Sequence, residues 1–292
     1  MLGKPFRVAW VTGAAGFIGQ RLVEHLREND WHVVGIDRRP GTDIQGDVCE
    51  GSLERADRYF GPPSAIVHLA GPSTVRQALT QDDHVKSTRT VVDYIKNSCP
   101  DARLIYFSSA AVYGGRADGR VAPVSVYGEQ KLEAETMIFG ASLNDTIILR
   151  PTSIYGVGLE KQLPWDLGRK LLLDDVVVLE GTGSEFRDFI HVSDVIRVVM
   201  RVIDSYVSEK IINVGTGKYT SISELAQLMK QNLDPSKTIR FNLNIRPGDP
   251  TSMLVNVSGM DSLGVPALVQ LRVGIARYCM WLRDRVMSEQ AA

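Results

Sequence analysis

Three glycines, Gly13, Gly16 and Gly19, follow the first strand-like run of this sequence, in the stretch TGAAGFIG. Glycines at such spacing permit a tight turn, let a pyrophosphate approach backbone N–H groups at a helix N terminus, and allow close packing of helix on strand. The spacing is GxxGxxG, one residue wider at its start than the GxGxxG of dinucleotide-binding dehydrogenases. A strand before it and a helix after it favour a phosphate site over a ligand-free glycine turn.

An acidic residue, Asp37, ends the second strand-like run, at about the 20-residue offset expected for a ribose ligand. A carboxylate accepts hydrogen bonds from the ribose diol and repels a 2′-phosphate, so Asp37 favours NAD. Arg38 and Arg39 follow it directly and are suited either to a 2′-phosphate, which leaves NADP as the alternative, or to a solvated loop. Asp47 and Val48 are expected near the adenine, with an ordinary turn as the other interpretation.

A serine-containing strand end and a tyrosine–lysine pair come next along the chain. The strand end reads FSSAAVYG and contains Ser108 and Ser109; the pair is Tyr127 and Lys131 in YGEQK. On a helix, residues four apart share one face, so Tyr127 and Lys131 can meet the same ligand. A lone pair of this kind is usually helix surface, and its weight here comes from its position after the glycine turn, the acid and the serines.

Alternating strand-like and helix-like runs must position these residues. The strand-like runs are RVAWVT, HVVGID, SAIVHLA and RLIYFSS, and the helix-like runs between them include QRLVEHLREN and RTVVDYIKNS. This alternation predicts an α/β fold with a parallel sheet and helices on both faces. The strands lack two-residue periodicity, as expected for strands that are covered on both sides.

The pattern becomes less regular after Tyr155, with Pro/Gly-rich breaks. We expect a dinucleotide-binding domain over 1–155, segments near 186–215 that return to it, and a smaller mixed α/β substrate lobe over most of 156–292. Within that lobe, Ser221 and Glu224 have the spacing of a helix capping box. A cleft between two lobes is the expected place for a ligand.

The composition is that of an ordinary globular protein: 292 residues, 44% hydrophobic, with 33 Lys+Arg against 34 Asp+Glu. It excludes disordered, collagenous and disulfide-stapled classes. A net charge of −1 gives no electrostatic footprint for nucleic acid or an anionic membrane. The three cysteines and five histidines have no metal-ligand spacing, so no metal is expected. With neither a signal peptide nor a membrane-spanning run, a cytoplasmic protein is predicted.

The ordered motifs together resemble the extended short-chain dehydrogenase/reductases, in their nucleotide-sugar epimerase/dehydratase branch. The resemblance covers almost the whole chain through TGAAGFIG, HLAG, SSAAVYG, YGEQK, LRPTSIYG, FRDFIHVSDV, NVGTG and RPGD. It implies a Rossmann-type doubly wound parallel sheet with a smaller C-terminal substrate lobe.

The resemblance also assigns catalytic roles. Tyr127 is expected to exchange a proton with the sugar, Lys131 to hold the nicotinamide ribose, and Ser109 to hydrogen-bond the reacting oxygen. An ionised tyrosine at neutral pH needs its pKa lowered by roughly three units, or about 4 kcal/mol, which Lys131 and a positive nicotinamide can supply. The expected cofactor contacts are Gly13, Gly16, Phe17, Ile18, Gly19, Asp37, Arg38, Asp47, Val48, Leu69, Ala70, Gly71, Ser108, Tyr127 and Lys131.

On the substrate side, Arg187 and Arg246 match arginines that hold the nucleotide diphosphate, a suitable use of a bidentate guanidinium. The other expected substrate contacts are Ser73, Ser109, Ser153 and Asp249. Ser153 replaces the asparagine usual in the family. Ala110 and Ala111 replace the Asp–Glu pair of related 4,6-dehydratases, and this disfavours dehydration because neither alanine can move a proton.

The leading hypothesis is therefore an NAD-dependent nucleotide-sugar 4-epimerase that acts by transient C4 oxidation and hydride return. The alternative is an NAD(P)H-dependent reductase of nucleotide 4-keto-6-deoxysugars, which uses the same three residues. A non-catalytic dinucleotide-sensing protein is less favoured, because both Tyr127 and Lys131 are retained. The resemblance also implies a homodimer, through the helices of HVKSTRTVVDYIK and YGEQKLEAETMIF; the apolar residues of the first helix fit a face on the sheet equally well.

Overall fold

The computed structural model describes residues 7–71, 83–116, 119–244 and 252–291. The strands are β1 Val8–Thr12, β2 His32–Asp37, β3 Ile44–Gln45, β4 Ala65–His68, β5 Arg103–Phe107, β6 Thr146–Pro151, β7 Ser153–Tyr155, β8 Val176–Leu179, β9 Phe186–Arg187, β10 Phe189–His191, β11 Ile211–Val214, β12 Thr220–Ser221, β13 Thr238–Phe241 and β14 Ser252–Met253. The helices are α1 Phe17–Glu28, α2 Leu53–Phe60, α3 Asp83–Ser98, α4 Val126–Gly140, α5 Gln162–Leu173, α6 Val192–Ile203, α7 Ile222–Leu233, α8 Ser258–Ser262 and α9 Leu271–Ala291.

Seven of the strands form one parallel sheet in the order β11-β6-β5-β4-β1-β2-β3. Its central strands are buried on both faces, which explains their continuous apolar sequences. Residues of α1 and α6 pack in the core on one face, and residues of α2, α3 and α4 pack in the core on the other. The predicted Rossmann-type doubly wound sheet is confirmed.

The sequence did not decide whether the apolar residues of α3 face a second subunit or the sheet. In the structure they pack on this sheet. Val91, Val92 and Ile95 are buried in the same core as residues of β1, β4 and β5. These three side chains stabilise the fold and do not offer an exposed surface to a second subunit. The homodimer stays a prediction.

A second core lies outside the main sheet. It joins α5, α7 and α9 with the small parallel pair β8–β13, through residues such as Leu167, Leu225 and Leu282. Ser221 caps α7 in the expected capping box with Glu224. Strand β11 lies beside β6 in the main sheet. The domain boundaries drawn from the sequence stay a prediction.

The chain crosses over at β1, whose neighbours are β2 on one side and β4 on the other. In open α/β sheets, ligands bind beyond the carboxyl ends of the strands at such a switch point. The glycine turn follows β1, the segment 69–71 follows β4, and the serines follow β5. None of the helices in the described part of the chain is long and apolar enough to cross a membrane.

Candidate active site

A cavity of about 1800 Å³ lies over the carboxyl ends of the sheet strands. Each candidate residue within the described ranges lines it; Ser73, Arg246 and Asp249 lie outside those ranges. The lining candidates are Gly13, Gly16, Phe17, Ile18, Gly19, Asp37, Arg38, Asp47, Val48, Leu69, Ala70, Gly71, Ser108, Ser109, Tyr127, Lys131, Ser153 and Arg187.

The glycine turn at the start of α1 leaves no room for side chains at two positions. Gly13 has φ +73°, and a Cβ there would lie 2.9 Å from the backbone nitrogen of Ala70. A Cβ on Gly19 would lie 2.2 Å from the carbonyl oxygen of Gly13. Gly16 is the N-cap residue, and no side chain caps this helix end. The positive end of the helix dipole therefore faces the cavity, a geometry that fits the pyrophosphate of a dinucleotide.

The charges at the end of β2 fit a free ribose diol better than a 2′-phosphate. The carboxylate of Asp37 accepts hydrogen bonds from the backbone N–H groups of Ala15, at 3.0 Å, and Arg39, at 2.9 Å. The Arg39 guanidinium lies 3.5 Å from Asp37, and Arg38 lies 3.7 Å from Asp47. Each arginine thus has an acid beside it, and a 2′-phosphate would meet the Asp37 charge.

A buried histidine connects the two turns beneath the cofactor end of the cavity. His68 Nδ1 lies 2.7 Å from the Thr12 hydroxyl oxygen, which accepts a hydrogen bond from the Ala70 N–H at 3.3 Å. Its other ring nitrogen lies 3.3 Å from the Thr88 hydroxyl of α3. Burial, together with the positive charge of Lys131, lowers the pKa of His68 to about 3. The ring is therefore neutral and holds the glycine turn against the segment 69–71.

Ser109 and Tyr127, the two residues expected to contact the reacting oxygen, lie together at the end of β5. Ser109 also caps the short helical turn Ala110–Tyr113, accepting a hydrogen bond from Ala111 N–H at 3.1 Å. Burial raises the pKa of Tyr127, and its hydrogen bond with Ser109 lowers it in part. The expected depression of this pKa is not produced by the protein alone, because removing the phenolate from water outweighs the Ser109 contact.

Lys131 is buried one helical turn beyond Tyr127. Its Nζ donates a hydrogen bond to the Phe107 carbonyl oxygen at 2.7 Å and lies 5.0 Å from the centre of the Tyr106 ring and 5.9 Å from that of Tyr127. Burial lowers the pKa of Lys131 to about 7, against the opposing effect of Glu135. His84 of α3 packs edge-on against Tyr127, with 5.4 Å between ring centres.

The two positions after Ser109 carry no proton-transfer group. Ala111 lines the cavity and Ala110 is buried beside it. On the far side of the cavity lie Ser153, at the start of β7, and Arg187, in β9. Arg187 is largely buried and donates a hydrogen bond to the Phe186 carbonyl oxygen at 2.9 Å.

Sequence reasoning did not find Lys161, which occupies the N-cap position of α5 and lines the cavity. Burial and the positive charge of Arg39 lower the pKa of Lys161. Its surroundings, LEKQLPW, contain no motif, so only the folded chain places this lysine near the cofactor end. Asp188 was likewise not singled out: it is buried and accepts hydrogen bonds from the backbone of Thr216 and Gly217.

A doubly wound sheet, a glycine turn and a Ser–Tyr–Lys constellation on one cavity define a dinucleotide-dependent enzyme class. The model of the NAD dependent epimerase/dehydratase family matches residues 9–215. The chain belongs to that family, which confirms the resemblance and the prediction of NAD as cofactor at the level of the family.

Relatives of known name cover nearly the full chain. A putative UDP-glucose 4-epimerase of Methanocaldococcus jannaschii is 26% identical over 94% of this chain and 98% of its own length. The solved structure of MoeE5 in complex with UDP-glucuronic acid and NAD is 30% identical, covers 95% of this chain and 99% of its own, and has a TM-score of 0.84. UDP-glucuronic acid decarboxylase 3 of Arabidopsis thaliana is 27% identical over 91% of this chain and 86% of its own.

Proposed function

We propose that this protein is an NAD-dependent nucleotide-sugar 4-epimerase, with a UDP-hexose or UDP-hexuronic acid as substrate. One observation carries the proposal: Tyr127 is hydrogen-bonded to Ser109 and lies beside Lys131, whereas the two positions after Ser109 are alanines, Ala111 on the cavity wall and Ala110 buried beside it. Such a site moves one proton at one sugar oxygen. At positions 110 and 111 it lacks the additional acid and base that elimination of water requires.

The residues of the chain act on the substrate oxygen. Tyr127 accepts the C4 hydroxyl proton, and Ser109 holds the same oxygen by a hydrogen bond. Lys131 stabilises the phenolate by its charge and supplies a donor for a ribose hydroxyl. Bound NAD would supply the hydride acceptor and donor for transient oxidation at C4, together with a positive charge near Tyr127.

The relatives support the substrate class. MoeE5 has solved structures with UDP-glucuronic acid and with UDP-glucose, each with NAD. Arg187 lines the cavity and offers a guanidinium for the diphosphate of such a substrate. The UDP-glucuronic acid decarboxylases among the relatives make release of CO₂ an outcome worth measuring.

The test starts from purified protein that has been dialysed extensively and then denatured, with the released dinucleotide identified by mass. Native dialysed protein is then given UDP-glucose or UDP-glucuronic acid without added cofactor, and the products are separated by chromatography. The proposal predicts retained NAD and the C4 epimer of one substrate, with no net change in absorbance at 340 nm.

Three other results would overturn it. Consumption of added NADH or NADPH with a 4-keto sugar nucleotide would make the protein a reductase. A UDP-pentose product would make it a decarboxylase. Nucleotide binding without turnover of any sugar would favour the non-catalytic interpretation.

Light scattering of the same preparation tests the expected homodimer, and a fluorescent fusion tests the expected cytoplasmic location.

A further inference from the structure

Helix α4 is attached to three successive residues at the end of β5. Lys131 donates a hydrogen bond to the Phe107 carbonyl oxygen, and Tyr127 is hydrogen-bonded to Ser109. Between them in sequence, the Ser108 hydroxyl donates a hydrogen bond to the Glu135 carboxylate. The three helix residues are one turn apart, so they share one face. Two of them form the reactive site, and Glu135 is the third contact of the same attachment.

Glu135 is buried with 2% of its surface exposed, and a second element holds it. Arg150 of β6 donates from Nε to its Oε1 at 2.9 Å and from Nη2 to its Oε2. The third Arg150 nitrogen, Nη1, donates to the Tyr113 hydroxyl at 2.8 Å, and the guanidinium lies 4.9 Å from that ring centre. A buried carboxylate with three hydrogen-bond donors is fixed in position.

The charge of Glu135 acts on Lys131. The groups that face Lys131 are Tyr127 and Glu135 on its own helix, the neutral His68 of β4 and the Tyr106 ring of β5. Arg150 of β6 adds a positive charge behind Glu135, and His84 of α3 lies on the other side of Tyr127. Glu135 is the acid among these groups, and it opposes the effect of burial on the Lys131 pKa.

We propose that Glu135 is a positioning residue of the reaction: its negative charge favours the protonated form of Lys131 in its buried site, and its hydrogen bonds to Ser108 and Arg150 fix the β5 end against α4. The inference rests on the proposed function, since it concerns the lysine that stabilises Tyr127 there. Without the carboxylate, Lys131 loses its proton more readily and no longer stabilises the Tyr127 phenolate. Arg150 and Ser108 hold the carboxylate in the orientation that makes this possible.

The test measures the ionisation of Lys131 directly, so it does not depend on any sugar being turned over. Protein labelled with ¹³C at lysine Cε is titrated by NMR, and Lys131→Met identifies the signal. Glu135→Gln keeps the side-chain shape and removes the charge. We expect it to lower the Lys131 titration midpoint, which lies at about 7 in the parent, by roughly one pH unit or more.

Glu133→Gln is the matched control, because Glu133 is an exposed acid on the same helix. It is expected to leave the midpoint within a few tenths of a unit. Glu135→Asp, which restores the charge on a shorter side chain, is expected to recover part of the shift. An unchanged midpoint in a folded Glu135→Gln protein would overturn the proposal, whatever happens to its thermal stability.

A second variant covers the case in which Glu135→Gln does not fold, since one partner of a buried pair is then left uncompensated. The double variant Glu135→Gln with Arg150→Gln removes both charges. Compared with Arg150→Gln alone, which differs from the double variant only in the Glu135 charge, we expect a lower Lys131 midpoint; equal midpoints in folded proteins would overturn the proposal. If the parent epimerises its substrate, Glu135→Gln and the double variant should each lower kcat about tenfold or more while KM changes little. If it does not, the proposed function fails and the NMR result still stands.

Discussion

The two ends of the cavity use charge in different ways. At the end near Asp37, arginines lie beside acids and the arginines remain open to solvent, with 62% of the Arg38 and 60% of the Arg39 side chain exposed. At the end near Tyr127, Lys131 and Glu135 are buried and the tyrosine is half-buried at the cavity wall, and burial moves the pKa values of Lys131 and Tyr127 away from their ordinary ranges.

This difference fits the two tasks that the proposed function assigns to the catalytic end near Tyr127 and the adenosine end near Asp37. Recognition of an adenosine needs shape, a helix dipole and a hydrogen-bonded carboxylate, and these work in contact with solvent. Proton transfer needs groups whose pKa values respond to their neighbours, and this requires a low dielectric. Changes at the catalytic end should therefore alter turnover, and changes at the adenosine end should alter binding.

The largest expected effect is at Tyr127. Tyr127→Phe removes the proton-transfer hydroxyl and keeps the ring against His84, so turnover should fall by about 10²- to 10⁴-fold. NAD content after dialysis and the Kd for UDP should stay near the parent values. Calorimetry measures the affinity for UDP, and steady-state assays measure turnover. Equal losses of binding and turnover would contradict the division between the two ends.

The next effect is expected in the glycine turn. Gly19→Ala places a Cβ 2.2 Å from the Gly13 carbonyl oxygen, so the turn must shift and bound NAD should be lost. Unfolding free energy should fall by about 1–3 kcal/mol. Gly140→Ala, at the end of α4 with nothing within 4 Å of the added Cβ, is the matched control. It should retain NAD and leave stability within about 1 kcal/mol of the parent.

A smaller effect is expected at Asp37. Asp37→Ala removes the carboxylate and should weaken NAD binding by about 10- to 100-fold. NADP binding should weaken less or improve, because the repulsion of a 2′-phosphate disappears while Arg38 and Arg39 remain. The ratio of the two affinities, measured by isothermal titration, is the readout. Loss of both affinities in equal proportion would show that Asp37 acts only by holding the turn.

The last expected effect concerns neither turnover nor binding but stability at acid pH. The pKa of His68 is about 3 in the folded chain and near 6.5 when unfolded, so only the unfolded chain takes up a proton between these values. Stability should fall with decreasing pH across this window, by up to about 1.4 kcal/mol per unit from this residue. His68→Gln should flatten the slope of urea-unfolding free energy against pH. His25→Gln, at an exposed histidine beside Glu28, should not.

Much of the site could be predicted because its motifs are local. The glycine turn, Asp37, the β5 serines and the Tyr127–Lys131 spacing are each read within a few residues, and the sheet brings their strand ends together. The sheet itself follows from runs of buried apolar residues.

The remainder depends on contacts between distant segments. In the sequence, Glu135 is one of several acids on a helix, and only the folded chain brings Arg150, 15 positions away, into contact with it. Lys161 is near Arg39 only because α5 starts beside the glycine turn. The direction of the Tyr127 pKa shift also depends on depth of burial, which spacing does not reveal.

The most direct test of the central claim uses a UDP-hexose or UDP-hexuronic acid carrying deuterium at C4. Dialysed protein is incubated with it in ordinary water, and both epimers are recovered and examined by NMR and mass. If the C4 hydrogen leaves and returns within one site while Tyr127 moves only the hydroxyl proton, the deuterium stays at C4 in both epimers. Loss of the label to solvent, or no epimer at all, would contradict the account.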